Sequence, residues 1–258
     1  MPKLNIVKIG GAIIEDKNKI LPFLKNFTAI KGPKILVHGG GKRATAWAEK
    51  IGIPVQMKDG RRVTNKETLE LITAIYAGLV NKTIVAYLQG LKCNALGLSG
   101  ADANAIEAEK RPVESIDYGF VGDITKVNIK WFNQILNQNI IPVCCAITHD
   151  RNGQLYNTNA DTISAEIGKA LAKEFDVKIS YCFEFPGVMR DIKDSSSLIK
   201  KITKKSYHNL LLNNIISKGM IPKLHNAFDA IEGGVDEVAI GNIKMINQAI
   251  PHTSITLR

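Results

Sequence analysis

Two stretches place glycines where backbone could meet a ligand. Ile35-Leu36-Val37 is a short apolar run, two of its residues β-branched, and reads as a strand buried on both faces. His38-Gly39-Gly40-Gly41 ends it, and Lys42 to Lys50 reads as a helix. Glycines at such a junction let amide groups come close to a ligand, and a helix N-terminus favours an anion there. The chain opens with a smaller copy: a strand over Leu4 to Ile9, then Gly10-Gly11, with Lys8 just ahead. A lysine abutting glycines on an apolar strand is costly as structure alone, so it is a candidate for neutralising a ligand's charge. An anion held between parallel strand ends is the chemistry these residues suggest.

Two familiar phosphate motifs bear on this. A P-loop is excluded, because Arg43 follows Lys42 where Ser or Thr is required and Leu36 replaces the first glycine. Gly39 to Ala44 does fit G-x-G-x-x-A after a strand, with Asp59 about 20 residues on as a ribose contact would be. A nicotinamide-dependent oxidoreductase is therefore an alternative class. His38 reads as a structural hydrogen-bonder. Further along, Lys58 to Arg62 is a polar turn with two arginines, and Thr64-Asn65-Lys66-Glu67 has the spacing of a capping box with Thr64 as cap. Asn157-Thr158-Asn159-Ala160-Asp161 precedes a helix, where Asp161 could serve merely as the N-cap.

The elements that must position these residues alternate. Strands are expected at Leu4–Ile9, Lys34–Val37, Asn94–Leu98, Phe120–Ile124, Ile140–Ile147, Val177–Phe183 and Val235–Ile240, with Ser254–Leu257 as an edge strand. Helices are expected at Ile20–Ala29, Lys42–Lys50, from Lys66 to about Gln89, and at Lys130–Asn137, Thr162–Glu174 and Ser206–Ser217, with another ending near Ile231. This order predicts an α/β fold with a mostly parallel sheet. No repeat or linker divides the chain, so residues 1–258 are expected to form a single domain.

Composition is that of an ordinary globular protein, with 45% hydrophobic and 22% charged residues. No apolar run approaches the roughly 20 residues of a membrane span. The chain begins on a strand and has no signal-like start, so a cytoplasmic protein without membrane association is expected. Cys93, Cys144, Cys145 and Cys182 have no metal-binding spacing and read as buried thiols. The net charge of +10 is dispersed. Its one concentration, Lys200-Lys201 with Lys204-Lys205, alternates with Ile199, Ile202 and Thr203 as on the solvated side of a helix. Nucleic acid is not an expected partner.

Taken in order, Lys8-Ile9-Gly10-Gly11, His38-Gly39-Gly40-Gly41, Gly60-Arg61-Arg62-Val63-Thr64, Asn157-Thr158-Asn159-Ala160-Asp161 and Gly219-Met220-Ile221-Pro222-Lys223 resemble the amino acid kinase family, from Lys3 to about Ile240. The Arg-Val-Thr turn and the Asn-x-Asn-Ala-Asp stretch resemble its acylglutamate branch more than its carbamate, uridylate or aspartate branches. That resemblance implies a three-layer αβα sandwich around an open, mostly parallel sheet. The half spanning about 1–150 would bind an N-acylated glutamate and the half spanning about 151–258 would bind ATP. The γ-phosphoryl group would pass to the side-chain carboxylate of N-acetyl-L-glutamate or, alternatively, N-succinyl-L-glutamate, in arginine biosynthesis.

By the same resemblance Lys8 and Lys223 would neutralise the phosphoryl in flight and Asp161 would hold them apart. Gly40, Gly41, Arg62 and Asn157 would contact the acyl-glutamate, while Gly10, Gly11, Ser217 and Gly219 would contact ATP phosphates. Mg²⁺ would ride on the phosphates with no cage of protein carboxylates. Glu184, Lys218 and His252-Thr253 depart from the family pattern, all in the nucleotide half. Relatives inhibited by arginine carry an extra N-terminal helix that joins dimers. A first strand beginning at Leu4 leaves no room for one, so an arginine-insensitive homodimer is expected.

Overall fold

The computed structural model describes residues 1–257 apart from Asp59, Ser195, Asn214, Ser217 and Lys218. Two strands and the turns that follow them set the centre of the molecule. β1 (Lys3–Ile9) and β2 (Lys34–His38) are parallel neighbours, and each runs into a glycine turn and a helix, α1 (Gly11–Ile14) and α3 (Gly41–Ile51). Between them lies α2 (Lys17–Thr28). Leu4, Ile6, Val7 and Ile9 are all essentially inaccessible. Successive strand residues point to opposite faces, so both faces of the sheet are covered by other layers.

Among the described residues eight strands make the main sheet, in the order β12-β14-β13-β11-β1-β2-β8-β5. The members beyond β1 and β2 are β5 (Ala95–Leu98), β8 (Ile141–Cys145), β11 (Asp176–Phe183), β12 (Lys201–Thr203), β13 (Glu237–Asn242) and β14 (Thr253–Thr256). All pairings are parallel except β13 with β14. This is the mixed α/β architecture with a large, mostly parallel sheet. β1 has β2 on one side and β11 on the other, so the order of strands switches direction there. Open parallel sheets bind ligands at the carboxyl ends of strands at such a switch.

α7 (Ala160–Leu171) packs against β1, β2 and β11, and α9 (Ile221–Glu232) packs against α7, β13 and β14. A long helix is built from α4 (Lys66–Thr73), a π-helical turn (Ala74–Val80) and α5 (Asn81–Gly90). By length and mean hydropathy, 1.5 in its most apolar stretch, it could cross a membrane. However, Leu69, Ile72, Ile75, Tyr76, Val80, Ile84 and Leu88 all belong to the buried core, so one side of this helix packs within the fold, with 39% of the apolar stretch buried. The helices α6 (Ile129–Asn137) and α8 (Lys204–Leu212) pack against β8 and β12 respectively.

Two smaller β units sit beside the main sheet. One is the hairpin of β3 (Met57–Lys58) and β4 (Arg61–Arg62). The other comprises β6 (Ile106–Lys110), β7 (Gly122–Val127), β9 (Ile147–His149) and β10 (Leu155–Asn157), in the order β10-β9-β6-β7. The single strand expected over Ile140–Ile147 is in fact two, β8 and β9, which part at Ala146 to serve different sheets.

Several expectations need correcting. β14 is an interior strand, because β12 pairs outside it. Lys201 lies on β12 and only Lys204-Lys205 begin a helix, so the lysine cluster is not one helical face. The N-cap of α4 is Asn65, whose Oδ1 accepts from Thr68 N–H at 2.8 Å. Thr64 is taken by tertiary contacts instead: its hydroxyl donates to the Arg62 carbonyl and accepts from Asn157 Nδ2. Asp161 is not a cap either, since Asn159 caps α7 and Asp161 lies in its first turn. The four cysteines are free and buried.

Candidate functional site

Lys8 is the penultimate residue of β1 and projects toward α7. Asn159 fixes the start of that helix by accepting the Asp161 N–H at 2.7 Å, which leaves the Asp161 carboxylate free to turn to the sheet. Its Oδ1 lies 2.8 Å from Lys8 Nζ. Its Oδ2 accepts from Lys223 Nζ at 2.7 Å, and Lys223 enters from the first turn of α9. The three side chains are only 11–13% exposed.

Burial by itself would raise the Asp161 carboxyl, but Lys223 and then Lys8 outweigh it and hold it well below the ordinary carboxylate range. Burial also draws Lys223 down from 10.5 to about 8, against the pull of Asp161 and with the push of Lys8. One carboxylate serves two ammoniums, so the trio keeps one positive charge in excess. A buried excess of charge is costly unless something else completes it, and an anionic ligand would do so.

A cavity of about 290 Å³ opens beside this bridge, lined by Lys8, Gly11, Gly40, Gly41, Arg62 and Asn157 among others. Gly11 and Gly41 are the first residues of α1 and α3, so their amides have no intrahelical acceptor. Gly40 is required for space: a Cβ there would stand 2.7 Å from the Tyr76 ring. Arg62 Nη2 donates to the Gly41 carbonyl at 3.1 Å and to Thr45 Oγ1 at 2.7 Å, which fixes the guanidinium at the glycine turn. Asn157 Nδ2 donates to Thr64 Oγ1 at 3.0 Å, tying the other wall of the cavity to the segment that joins β4 to α4.

His38 lies beneath the turn. Asn81 Nδ2 donates to its Nε2 at 3.0 Å, so Nδ1 carries the proton and donates to the Gly39 carbonyl at 2.7 Å. Burial lowers its pKa to about 4. With both nitrogens engaged, His38 holds the turn and does not offer a base to the cavity.

Lys8, Gly11, Gly40, Gly41, Arg62 and Asn157 thus line one space, and Lys8 joins it to Asp161 and Lys223, which do not line it themselves. Gly10 is different: its N–H donates to the Cys182 carbonyl at 3.0 Å, so that amide is used by the fold. Gly219 is exposed, and neither space nor backbone angle there demands glycine. Ser217 lies outside the described residues, as does Asp59, on which the dinucleotide alternative depended.

Sequence reasoning missed Tyr181, whose ring centroid is 5.1 Å from Lys223 Nζ. An aromatic residue within an apolar strand carries no spacing signal. A second, apolar hollow of about 120 Å³ lies between the end of β11 and the start of α9, where Phe183, Phe185, Val188, Ile216 and Met220 meet. Among the described residues no three His, Cys, Asp or Glu side chains cluster as metal ligands, and both oxygens of Asp161 face ammoniums.

Known proteins resemble this chain in sequence and in fold. Residues 3–242 match the sequence profile of the amino acid kinase family. The chain is 50% identical to an acetylglutamate kinase from Phocaeicola vulgatus, covering 95% of this chain and 96% of the relative. It is 51% identical to an acetylglutamate kinase from Cytophaga hutchinsonii, over 93% of this chain and 91% of that one. Among solved structures, smu.665 from Streptococcus mutans superposes with a TM-score of 0.83 at 26% identity, covering 99% of both chains. The chain belongs to the amino acid kinase family.

Proposed function

We propose that this protein transfers the γ-phosphoryl group of ATP to the side-chain carboxylate of N-acetyl-L-glutamate, as a step of arginine biosynthesis. The observation that carries this is the Lys8–Asp161–Lys223 bridge beside a cavity lined by Arg62 and glycine amides. The relatives named acetylglutamate kinase support the same substrate and favour acetyl over succinyl. An oxidoreductase finds no such support.

In the proposed reaction a carboxylate oxygen attacks the γ-phosphorus, a new P–O bond forms, and the bond to the β-phosphate oxygen breaks with its electron pair leaving on ADP. The nucleophile is already ionised at neutral pH and needs no base. The obstacle is repulsion between an anion and a polyanion, so positioning and positive charge do the catalysis. Arg62, its Nη2 held by the glycine turn, binds the α-carboxylate with a remaining guanidinium hydrogen, Asn157 binds the acyl-amino group, and the Gly40 and Gly41 amides hold the glutamate end. Lys8 and Gly11 reach the transferred phosphoryl from one side and Lys223 from the other, with Asp161 keeping the two cations aimed.

The apolar hollow around Phe183, Phe185 and Met220 suits the nucleotide base, in the half spanning about 151–258. Mg²⁺ would neutralise charge on the nucleotide's phosphates, and since no carboxylate cluster among the described residues stands ready to hold it, it would enter bound to the nucleotide. We also read the active form as a homodimer; the exposed Trp47 and Ile51 on α3 and Leu79 on the π-helical turn support a covered apolar face. An ADP-release assay with acetyl- and succinyl-glutamate side by side tests the reaction. ADP production dependent on acetylglutamate is expected, and none with either acceptor would refute the proposal.

A further inference from the structure

Tyr181 meets the lysine bridge from the strand side, beside Lys8 and against both helices that contribute to it. It is 1% exposed, on β11, and lies directly across from Lys8 in the parallel register with β1. Registered residues of parallel neighbours point to the same face, so the ring shares the layer in which Lys8, Asp161 and Lys223 meet. The Lys223 ammonium sits over its face at 5.1 Å. Its hydroxyl donates to the Asp161 main-chain carbonyl at 3.2 Å. One side chain therefore touches the cation through its π-system and the backbone of the anion through its hydroxyl.

The need for such a contact follows from the charge count. Asp161 supplies one negative charge to two ammoniums, and each ammonium has left water. The negative face of an aromatic ring attracts a cation without adding a titratable charge, and this attraction strengthens when the pair is desolvated. A second carboxylate in place of the ring would cancel the excess positive charge that the phosphoryl group requires.

We propose that Tyr181 is a positioning residue for phosphoryl transfer: its ring keeps the Lys223 ammonium charged and aimed, and its hydroxyl fixes the turn of α7 that carries Asp161. The inference rests on the reaction proposed above. The charged or titratable groups bearing on Lys223 are Asp161 on α7 and Lys8 on β1, with the Cys182 thiol close by on β11. Burial keeps the Tyr181 hydroxyl protonated, with Asp161 and then Asp229 and Glu166 acting in the same direction. Weakening the ring's hold should let Lys223 lose its proton at lower pH, and turnover should fail earlier as pH rises.

The test compares wild type, Tyr181→Phe and Tyr181→Leu by ADP release across pH 6.5 to 10, with thermal melts to confirm folding. Tyr181→Phe keeps the ring and should retain the alkaline limb of kcat/KM, with kcat within about threefold of wild type. Tyr181→Leu should lower kcat about tenfold, leave KM for acetylglutamate nearly unchanged, and move the alkaline limb down by about half a pH unit or more. Should the leucine variant fail to fold, phenylalanines of increasing fluorination at position 181 preserve shape while draining the ring's negative face. Their alkaline limb should then step downward with each fluorine. A limb that stays fixed across that series, or a leucine variant with wild-type kcat, overturns the proposal. Wild type releasing no ADP with any acyl-glutamate would defeat the reaction itself, a distinct result from a silent Tyr181 series.

Discussion

Lys8 and Asp161 make the sharpest contrast available at the level of single residues. Lys8→Ala removes one of two cations and leaves Asp161 paired with Lys223, so the fold should persist while kcat falls about 10²- to 10³-fold. ADP release with a parallel melting curve checks both halves of that statement. Asp161→Asn should cost activity and stability together, because it leaves two buried ammoniums without a counter-ion. Lys223 adds a pH signature. Its ammonium is the working form and titrates near 8, so kcat/KM should hold below that pH and decline through it. A flat profile from pH 7 to 10 would contradict the role given to Lys223. Lys8 was legible because a charge beside glycines on an apolar strand is anomalous. Tyr181 was not, because burial on both faces of β11 removes the alternation that would single out one residue, and its contacts come from segments tens of residues away.

At the scale of elements, the glycine turn after β2 and the π-helical turn of the long helix interlock. Gly40→Ala would press a methyl group into the Tyr76 ring, and either the turn or the ring must move. KM for acetylglutamate should rise about tenfold or more, and overpacking against the buried ring should lower stability by about 1–3 kcal/mol, read from a thermal melt. The same turn is held from below by neutral His38. Its folded pKa of about 4 lies under the unfolded value of 6.5, so the unfolded chain binds the extra proton in that interval. Stability from this group is complete above pH 6.5 and is lost as pH falls toward 4, by about 3 kcal/mol in all. Urea titrations at pH 7 and pH 4.5 should show that loss, and a His38→Gln chain should lack its share of it.

Element types were legible wherever several apolar residues run together, as in β1, β2 and β11. β6 was invisible because Ile106-Glu-Ala-Glu-Lys110 has helix-forming composition and becomes a strand only through pairing with β7. β12 has only three residues and depends on its pairing with β14. Thr64 and Asn65 are both good caps, and what decides between them is the tertiary pull of Asn157 on Thr64.

For the molecule as a whole, the two halves share one sheet. Their seam is the pairing of β1 with β11, registered from Lys3 with Asp176 to Ile9 with Cys182, and α7 bridges both strands. Unfolding should accordingly give a single calorimetric peak. A saturating ligand in either half should raise the whole peak, by about 2.7 kcal/mol of stability at a hundred times its Kd. Two separate peaks, with only one responding to acetylglutamate, would refute that cooperativity. The α/β class and parallel sheet could be foreseen from the alternation of elements. The position of β14 could not, since strand order is set by long-range pairing.

The unbalanced cation at the bridge also bears on how the enzyme behaves when idle. An empty site with a standing positive surplus is a trap for any small oxyanion in the medium, and sulfate or inorganic phosphate at high concentration would occupy it in competition with both substrates. Turnover measured in such buffers would understate the protein's capacity, and the ease with which those ions are displaced would set how quickly a resting molecule returns to work.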